Sequence, residues 1–274
     1  MKTIVRFFTL ALIIFAFSSS GFSQKYIKKI QERGELRVGM TAKQPPFCMK
    51  DIKGNYIGFE VELAEMLAES MQLKLKIVEI PFSKLLKSLE DGDIDMVMSG
   101  MTMTIKRNMK AIFVGPYLLS GKSFLTHSAT YLATDEAGDL NQANLKIVAL
   151  KGSTSEIYVK KEMPEAKLFL GENYNECINM LEKNIVQIMV ADYPICVYTA
   201  QLFPEKGLFT INTPLTIEPI GVALPNDAAH FINLVENYFN KLILIGALEE
   251  MEAYWFDSGE WVDQVVPVKG IEIY

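Results

Sequence analysis

The chain reads as an α/β protein of two similar lobes, each a mostly parallel sheet flanked by helices, with two crossover hinge strands between them. Three observations predict this. Short apolar runs alternate with helical patterns from Tyr26 to Met98, and the alternation starts again at Leu145. That is the pattern of a parallel sheet covered by helices. Two pieces also align by eye, Leu89 to Gly100 and Leu181 to Asp192. Each is a helix end, a turn and an apolar strand that finishes in polar residues. Finally, the segment from Ile220 onward holds one strand and two helices. That is too little for a third domain, so it is expected to return and complete the first lobe.

Taken in order, Tyr26 to Arg33 is a short helix closed by Gly34, and Glu35 to Met40 a strand. Asp51-Ile52-Lys53-Gly54-Asn55 is a hairpin-type turn. Val61, Leu63, Ala64, Leu67 and Ala68 form one apolar face between Phe59 and Met71, which predicts a helix. Leu73 to Ile80 alternates as a strand, Ser83 to Glu90 is a helix stopped by Asp91-Gly92, and Ile94 to Met98 is a buried strand. The second set is a strand at Leu145 to Leu150, a helix at Ser155 to Glu162, a strand at Lys167 to Leu170, a helix at Tyr174 to Glu182 and a strand at Ile185 to Val190. Ile220 to Leu224 is the returning strand. Asp227 to Ile245 is a long helix that Asp227 is placed to cap, Gly246 breaks it, and a second short helix ends near Phe256. The crossings between lobes are expected near Leu119 to Lys122 and Thr216 to Ile220. The lobes are then 24–120 with 219–274, and 121–218.

The N-terminus carries Lys2 and Arg6, an apolar run from Phe7 to Phe17, and small residues at Ser18-Ser19-Ser20-Gly21. Charge, length and flanks are those of a cleavable secretory signal over 1–23; the run is short for a membrane anchor. The remainder is expected to be exported, soluble and monomeric. The formal net charge is -6. Without the signal's two cations, 25 basic residues face 33 acidic ones, which argues against nucleic acid as a partner. Cys177 and Cys196 either pair in an oxidising compartment, leaving Cys48 free, or all three are small buried hydrophobes. His127 and His230 have no metal-ligand spacing around them, so neither a metal site nor a histidine triad is expected.

The segment most suggestive of chemistry is Asp95-Met96-Val97-Met98-Ser99-Gly100-Met101-Thr102-Met103-Thr104-Ile105-Lys106-Arg107. A strand runs into a hydroxyl loop, and a helix then starts with a cation in its first turn. Such a cation opposes the helix dipole. That makes sense if Arg107 serves an anion, since a guanidinium fork fits one carboxylate; a merely solvated arginine is the plain alternative. The alternating methionines read as strand core rather than a soft-metal site. Glu60 reads as a helix-start acid, Phe82 after Pro81 as a core aromatic, and Asp192 before Tyr193-Pro194 as a helix cap at the end of a strand.

These residues carry a family resemblance. The motifs are Leu36-Arg37-Val38-Gly39, Pro46-Phe47, Gly58-Phe59-Glu60, Asp93-Ile94-Asp95 leading to Ser99-Gly100-Met101-Thr102, and Thr104 with Arg107. They continue with Lys151-Gly152-Ser153-Thr154-Ser155-Glu156, Asp192, Gly221-Val222-Ala223-Leu224 and Gly246-Ala247-Leu248. In this order they resemble the polar amino-acid class of bacterial extracellular solute-binding proteins, family 3. The resemblance implies a periplasmic-binding-protein-like type II fold. It also implies no cofactor, and an ABC transporter permease as partner. By the same resemblance Arg107 holds a ligand α-carboxylate; Ser99, Gly100 and Thr102 add hydrogen bonds; Ser153 and Thr154 close over the carboxylate. Asp192 takes the α-ammonium from the other lobe, and Phe82 lies on the ligand. Splitting a zwitterion's partners across two lobes makes closure depend on the ligand.

Relatives for cationic amino acids carry an acid near Thr41 and a tyrosine near Gln44. Here Thr41 and Gln44, with Lys151 nearby, suit a polar neutral or acidic side chain. Two other functions compete. Cyclohexadienyl dehydratases, which act on prephenate or arogenate, resemble this family and use an acid where Glu156 stands. A sensor domain on this fold would need a later membrane helix, and the sequence shows none.

Overall fold

The computed structural model describes residues 20–133 and 137–265. The apolar run of the expected signal lies outside them. In chain order the first half is α1 (Ser20–Arg33), β1 (Glu35–Met40), the hairpin β2 and β3 (Met49–Lys50, Tyr56–Ile57), α2 (Phe59–Ser70), β4 (Lys74–Glu79), α3 (Leu85–Glu90), β5 (Met96–Val97), the single turn α4 (Ile105–Asn108) and β6 (Ile112–Ser120). The second half begins with β7 (Lys122–Thr126), β8 (Lys146–Leu150), α5 (Thr154–Glu162), β9 (Lys167–Gly171), α6 (Tyr174–Glu182), β10 (Ile188–Asp192), α7 (Tyr193–Leu202) and β11 (Phe209–Thr210). It ends with β12 (Glu218–Leu224), α8 (Ala229–Leu244) and α9 (Ala247–Glu252).

Two five-stranded sheets result, in the orders β4-β1-β5-β12-β6 and β11-β7-β10-β8-β9. They are topological copies. In each, the first strand pairs in parallel with the second and third, and a long-range strand joins antiparallel to the third. In the first sheet that reversed strand is β12, which arrives from the second half. In the second it is β7, which arrives from the first. The chain therefore passes between sheets at Ser120–Lys122 and returns just ahead of Glu218, where Glu218 pairs with Ser120. The two passages press together at Gly121: a Cβ there would lie 2.0 Å from the carbonyl oxygen of Thr216.

The first sheet is buried against α2, α3 and α8 through residues such as Leu36, Val38, Leu63, Leu67, Phe231 and Val235. Around the second, Ile147, Val159, Ile188 and Val190 form part of a separate cluster. Residues past α9 tie the halves together. Phe256 packs edge-on to Phe47 and Phe59, while Trp261 lies 5.0 Å from the Tyr198 ring on α7.

Some expectations shift. The helix expected from Asp227 begins at Ala229, and its N-cap is Ala228 with no side-chain cap bond, so Asp227 does not cap it. The strand expected at Ile185 starts at Ile188, because Asn184 turns at φ 52 and the chain straightens only afterwards. The helix expected at Ser83 opens as a tight 3₁₀ turn, Phe82–Lys84, before α3. Strand β6 was not anticipated: Gly115-Pro116 interrupts its apolar run, and proline within a run argues against a strand. All three cysteines are buried free thiols, so Cys177 and Cys196 are not paired. Among the described residues no helix is long and apolar enough to cross a membrane, and no cluster of histidine, cysteine and acid could hold a metal.

Candidate functional site

The expected site residues collect at the carboxyl ends of parallel strands, where open α/β sheets place their ligands. Thr41 follows β1, Phe82 follows β4, and Ser99, Gly100 and Thr102 follow β5. Facing them, Ser153 and Thr154 follow β8, and Asp192 ends β10. The two sets touch. Thr102 Oγ1 and Thr154 Oγ1 are 3.2 Å apart, and the Arg107 guanidinium donates through Nη2 to the Gly152 carbonyl at 3.2 Å.

Arg107 sits in the four-residue helix α4, whose N-cap Thr104 accepts from the Arg107 amide. Its side chain is 8% exposed. The guanidinium carbon lies 5.3 Å from the centre of the Phe82 ring, a cation–π stack. Nη1 donates to the Thr102 carbonyl at 2.7 Å. Two of five donors are thus spent on carbonyls, and among the described residues no carboxylate forms an ion pair with Arg107. Burial lowers its pKa, and Asp192, Glu218 and Tyr174 oppose that from a distance. A guanidinium keeps its charge regardless. It is a buried cation with open donors.

The loop beside it is braced from behind. Ser99 is wholly buried and sits among Thr41 and Gln44: the Thr41 amide donates to Ser99 Oγ at 3.2 Å, and Ser99 and Thr41 both donate to Gln44 Oε1. Gly100 turns at φ +55, and a Cβ there would lie 2.3 Å from Gln44 Nε2. Gln44 is 1% exposed, so it packs the loop, while Thr41 is partly exposed. Glu60, expected only as a helix-start acid, is fully buried beneath the loop. It accepts the Gly100 amide at 2.8 Å and the Tyr117 hydroxyl, and its Oε2 has no partner. Burial pushes its pKa up to about 7, against the pull of those two donors.

On the other side, Ser153 is the N-cap of α5. Its hydroxyl accepts the Glu156 amide and donates to the Leu150 carbonyl at 2.6 Å. Thr154 keeps its hydroxyl toward the facing loop. Asp192 stands at the N-cap of α7 but makes no cap bond with its side chain. Its Oδ1 instead accepts from Lys122 Nζ. Lys122, for which the sequence alone suggested no role, is 0% exposed and pairs with Asp192 in the β7–β10 register. Its ammonium also donates to Thr154 Oγ1 at 2.6 Å and lies 3.5 Å from Glu218 Oε2. A lysine opening an apolar strand at an expected crossing was the available signal. Lys151, by contrast, is exposed and paired with Glu172.

The arrangement sets a buried guanidinium against a carboxylate across a two-lobe fold, groups that can pair with the opposite charges of a small ligand. Residues 36–258 match the model of the bacterial extracellular solute-binding proteins, family 3, and the chain belongs to that family. It is similar to the cyclohexadienyl dehydratase of Pseudomonas aeruginosa, 24% identical over 90% of this chain and 91% of that one. It is similar also to the ABC transporter glutamine-binding protein GlnH of Bacillus subtilis, 25% identical over 86% of this chain and 88% of that one. Among solved structures it resembles an ancestral amino acid-binding protein described as a precursor of cyclohexadienyl dehydratase. That match has a TM-score of 0.78 and 30% identity, and covers 84% of this chain and 99% of the other. These matches agree with the type II fold and with a solute-binding function.

Proposed function

We propose that this protein is exported and captures a single amino acid between lobes 24–120 with 219–274 and 121–218, then delivers it as a monomer to an ABC importer. The observation that carries the reading is Arg107: buried, stacked on Phe82, and without a carboxylate partner among the described residues. A buried charge without a counter-charge is costly, and a ligand carboxylate removes that cost. Thr102 and Thr154 meet beside it, while the expected ligand donors Ser99 and Gly100 instead brace the loop, the Ser99 hydroxyl on Gln44 and the Gly100 amide on Glu60. Asp192 Oδ2 makes no hydrogen bond among the described residues, which leaves it for an ammonium. Ser153, whose amide and hydroxyl both donate to the Leu150 carbonyl, holds the start of α5 in place beside that spot. Gln44 and Thr41 support the loop, with Thr41 the one nearer solvent.

The dehydratase-like reading has a specific relative behind it, and Glu156 is its test. A general acid at neutral pH needs a raised pKa. Burial does raise that of Glu156, but the Lys160 ammonium and the Gly152 amide outweigh burial and hold the carboxyl below its ordinary value. This favours capture without chemistry. Calorimetric titration with the twenty amino acids, alongside an assay for prephenate and arogenate turnover, separates the readings. Saturable one-to-one heat with an amino acid and no turnover supports capture. Turnover that Glu156→Gln abolishes overturns it.

A further inference from the structure

Lys122 has no part in the zwitterion clamp as described, yet it is the most enclosed cation among the described residues. Its Nζ touches Thr154 Oγ1 at 2.6 Å, and that hydroxyl lies 3.2 Å from Thr102 Oγ1 on the facing lobe. The ammonium is thus one hydroxyl away from the loop that brackets Arg107. It also holds Oδ1 of Asp192, the carboxylate proposed for the ligand ammonium, and has Glu218 Oε2 at 3.5 Å. The charged groups facing this part of the cleft are therefore Arg107 and Lys122 against Asp192 and Glu218.

Granted the amino-acid reading above, on which this rests, we propose that Lys122 determines the ligand's side chain: an amino acid with a second carboxylate, and not one with an ammonium or guanidinium. A ligand ammonium can share Asp192 only through Oδ2, which sets it beside the Lys122 ammonium on one carboxylate. A cationic side chain placed beside Lys122 adds a third cation next to a fully buried one, where like charges repel strongly. A second carboxylate gives Lys122 an additional anion at the one N–H it does not spend on Thr154 and Asp192. An amide side chain of the same length offers Lys122 an acceptor but no charge, and ranks between the two.

The test is calorimetric titration of the purified protein with glutamate, aspartate, glutamine, lysine, arginine and 2-oxoglutarate, repeated on Lys122→Met and Lys122→Gln. The glutamine variant keeps a donor for Asp192 and guards against a folding failure, which circular dichroism checks. The expected result is glutamate or aspartate at least 100-fold tighter than lysine or arginine, with that ratio falling at least 10-fold in whichever variant folds. Wild-type preference for a neutral or cationic amino acid, or an unchanged ratio in a folded variant, overturns the proposal and leaves the amino-acid reading standing. Binding of 2-oxoglutarate with no heat from any amino acid overturns the amino-acid reading. In that case, loss of 2-oxoglutarate binding in the Lys122 variants supports the anion-selecting role.

Discussion

Replacing Glu60 with glutamine should leave stability unchanged near pH 4 and raise it at pH 8. The Glu60 carboxyl is fully buried under Gly100, with Oε2 unpartnered, and its pKa moves from the ordinary 4.5 to about 7 because burial penalises the charged form. A folded-state pKa above the unfolded one means the folded protein binds more protons in that window. The Glu60 contribution to stability therefore falls as pH rises from about 4.5 to about 7, and is level above it. At 1.36 kcal/mol per pKa unit, the loss is on the order of 3 kcal/mol. Glutamine carries no charge to bury, and like protonated glutamate it keeps an acceptor for Gly100 and Tyr117 and puts a neutral donor group where Oε2 stands. The two proteins should thus be equal at low pH. Urea unfolding at intervals from pH 4 to pH 8 measures this. With a urea dependence of roughly 3 kcal/mol per molar for a chain of this size, the variant's midpoint should lead by about 1 M at pH 8. Parallel wild-type and variant curves across the range would refute the reasoning, as would a variant whose lead shrinks between pH 4.5 and 7.

Two further substitutions probe the frame of the cleft. Asp192→Asn leaves the Lys122 ammonium enclosed without its nearest carboxylate, and should cost about 3–5 kcal/mol, read as a fall in melting temperature; an unchanged melting temperature would show that Glu218 alone suffices. Gly121→Ala forces a Cβ to within 2.0 Å of the Thr216 carbonyl, so the two passages must separate. Affinity should drop at least 10-fold with secondary structure intact, and small-angle scattering should show less compaction on adding ligand.

Legibility in the amino-acid sequence follows the range of the interactions involved. The β/α units were legible because each is set by local periodicity and by a glycine or aspartate stop, as at Gly34 and Gly92. The hydroxyl loop and Arg107 were legible because the odd placement of a cation in a first helical turn is a local fact. Glu60 was visible as a first-turn acid, but its burial depends on Tyr117 in β6 and Gly100 after β5, both distant in sequence. Lys122 depends on register: its ammonium and Asp192 lie 70 residues apart, and only the pairing of β7 with β10 sets them side by side. Strand β6 was hidden by Gly115-Pro116 within its apolar run. The start of α8 slipped because Asp227 has the chemistry of a cap, while the chain enters the helix two residues later.

The central claim is that Arg107 receives the carboxylate of a small ligand held between the lobes. Titration of wild type and Arg107→Ala with the bound amino acid, and of wild type with that amino acid's α-methyl ester, tests it most directly. The account predicts one-to-one binding to wild type, at least 100-fold weaker binding in the folded variant, and a comparable loss for the ester. Undiminished binding by Arg107→Ala would contradict it.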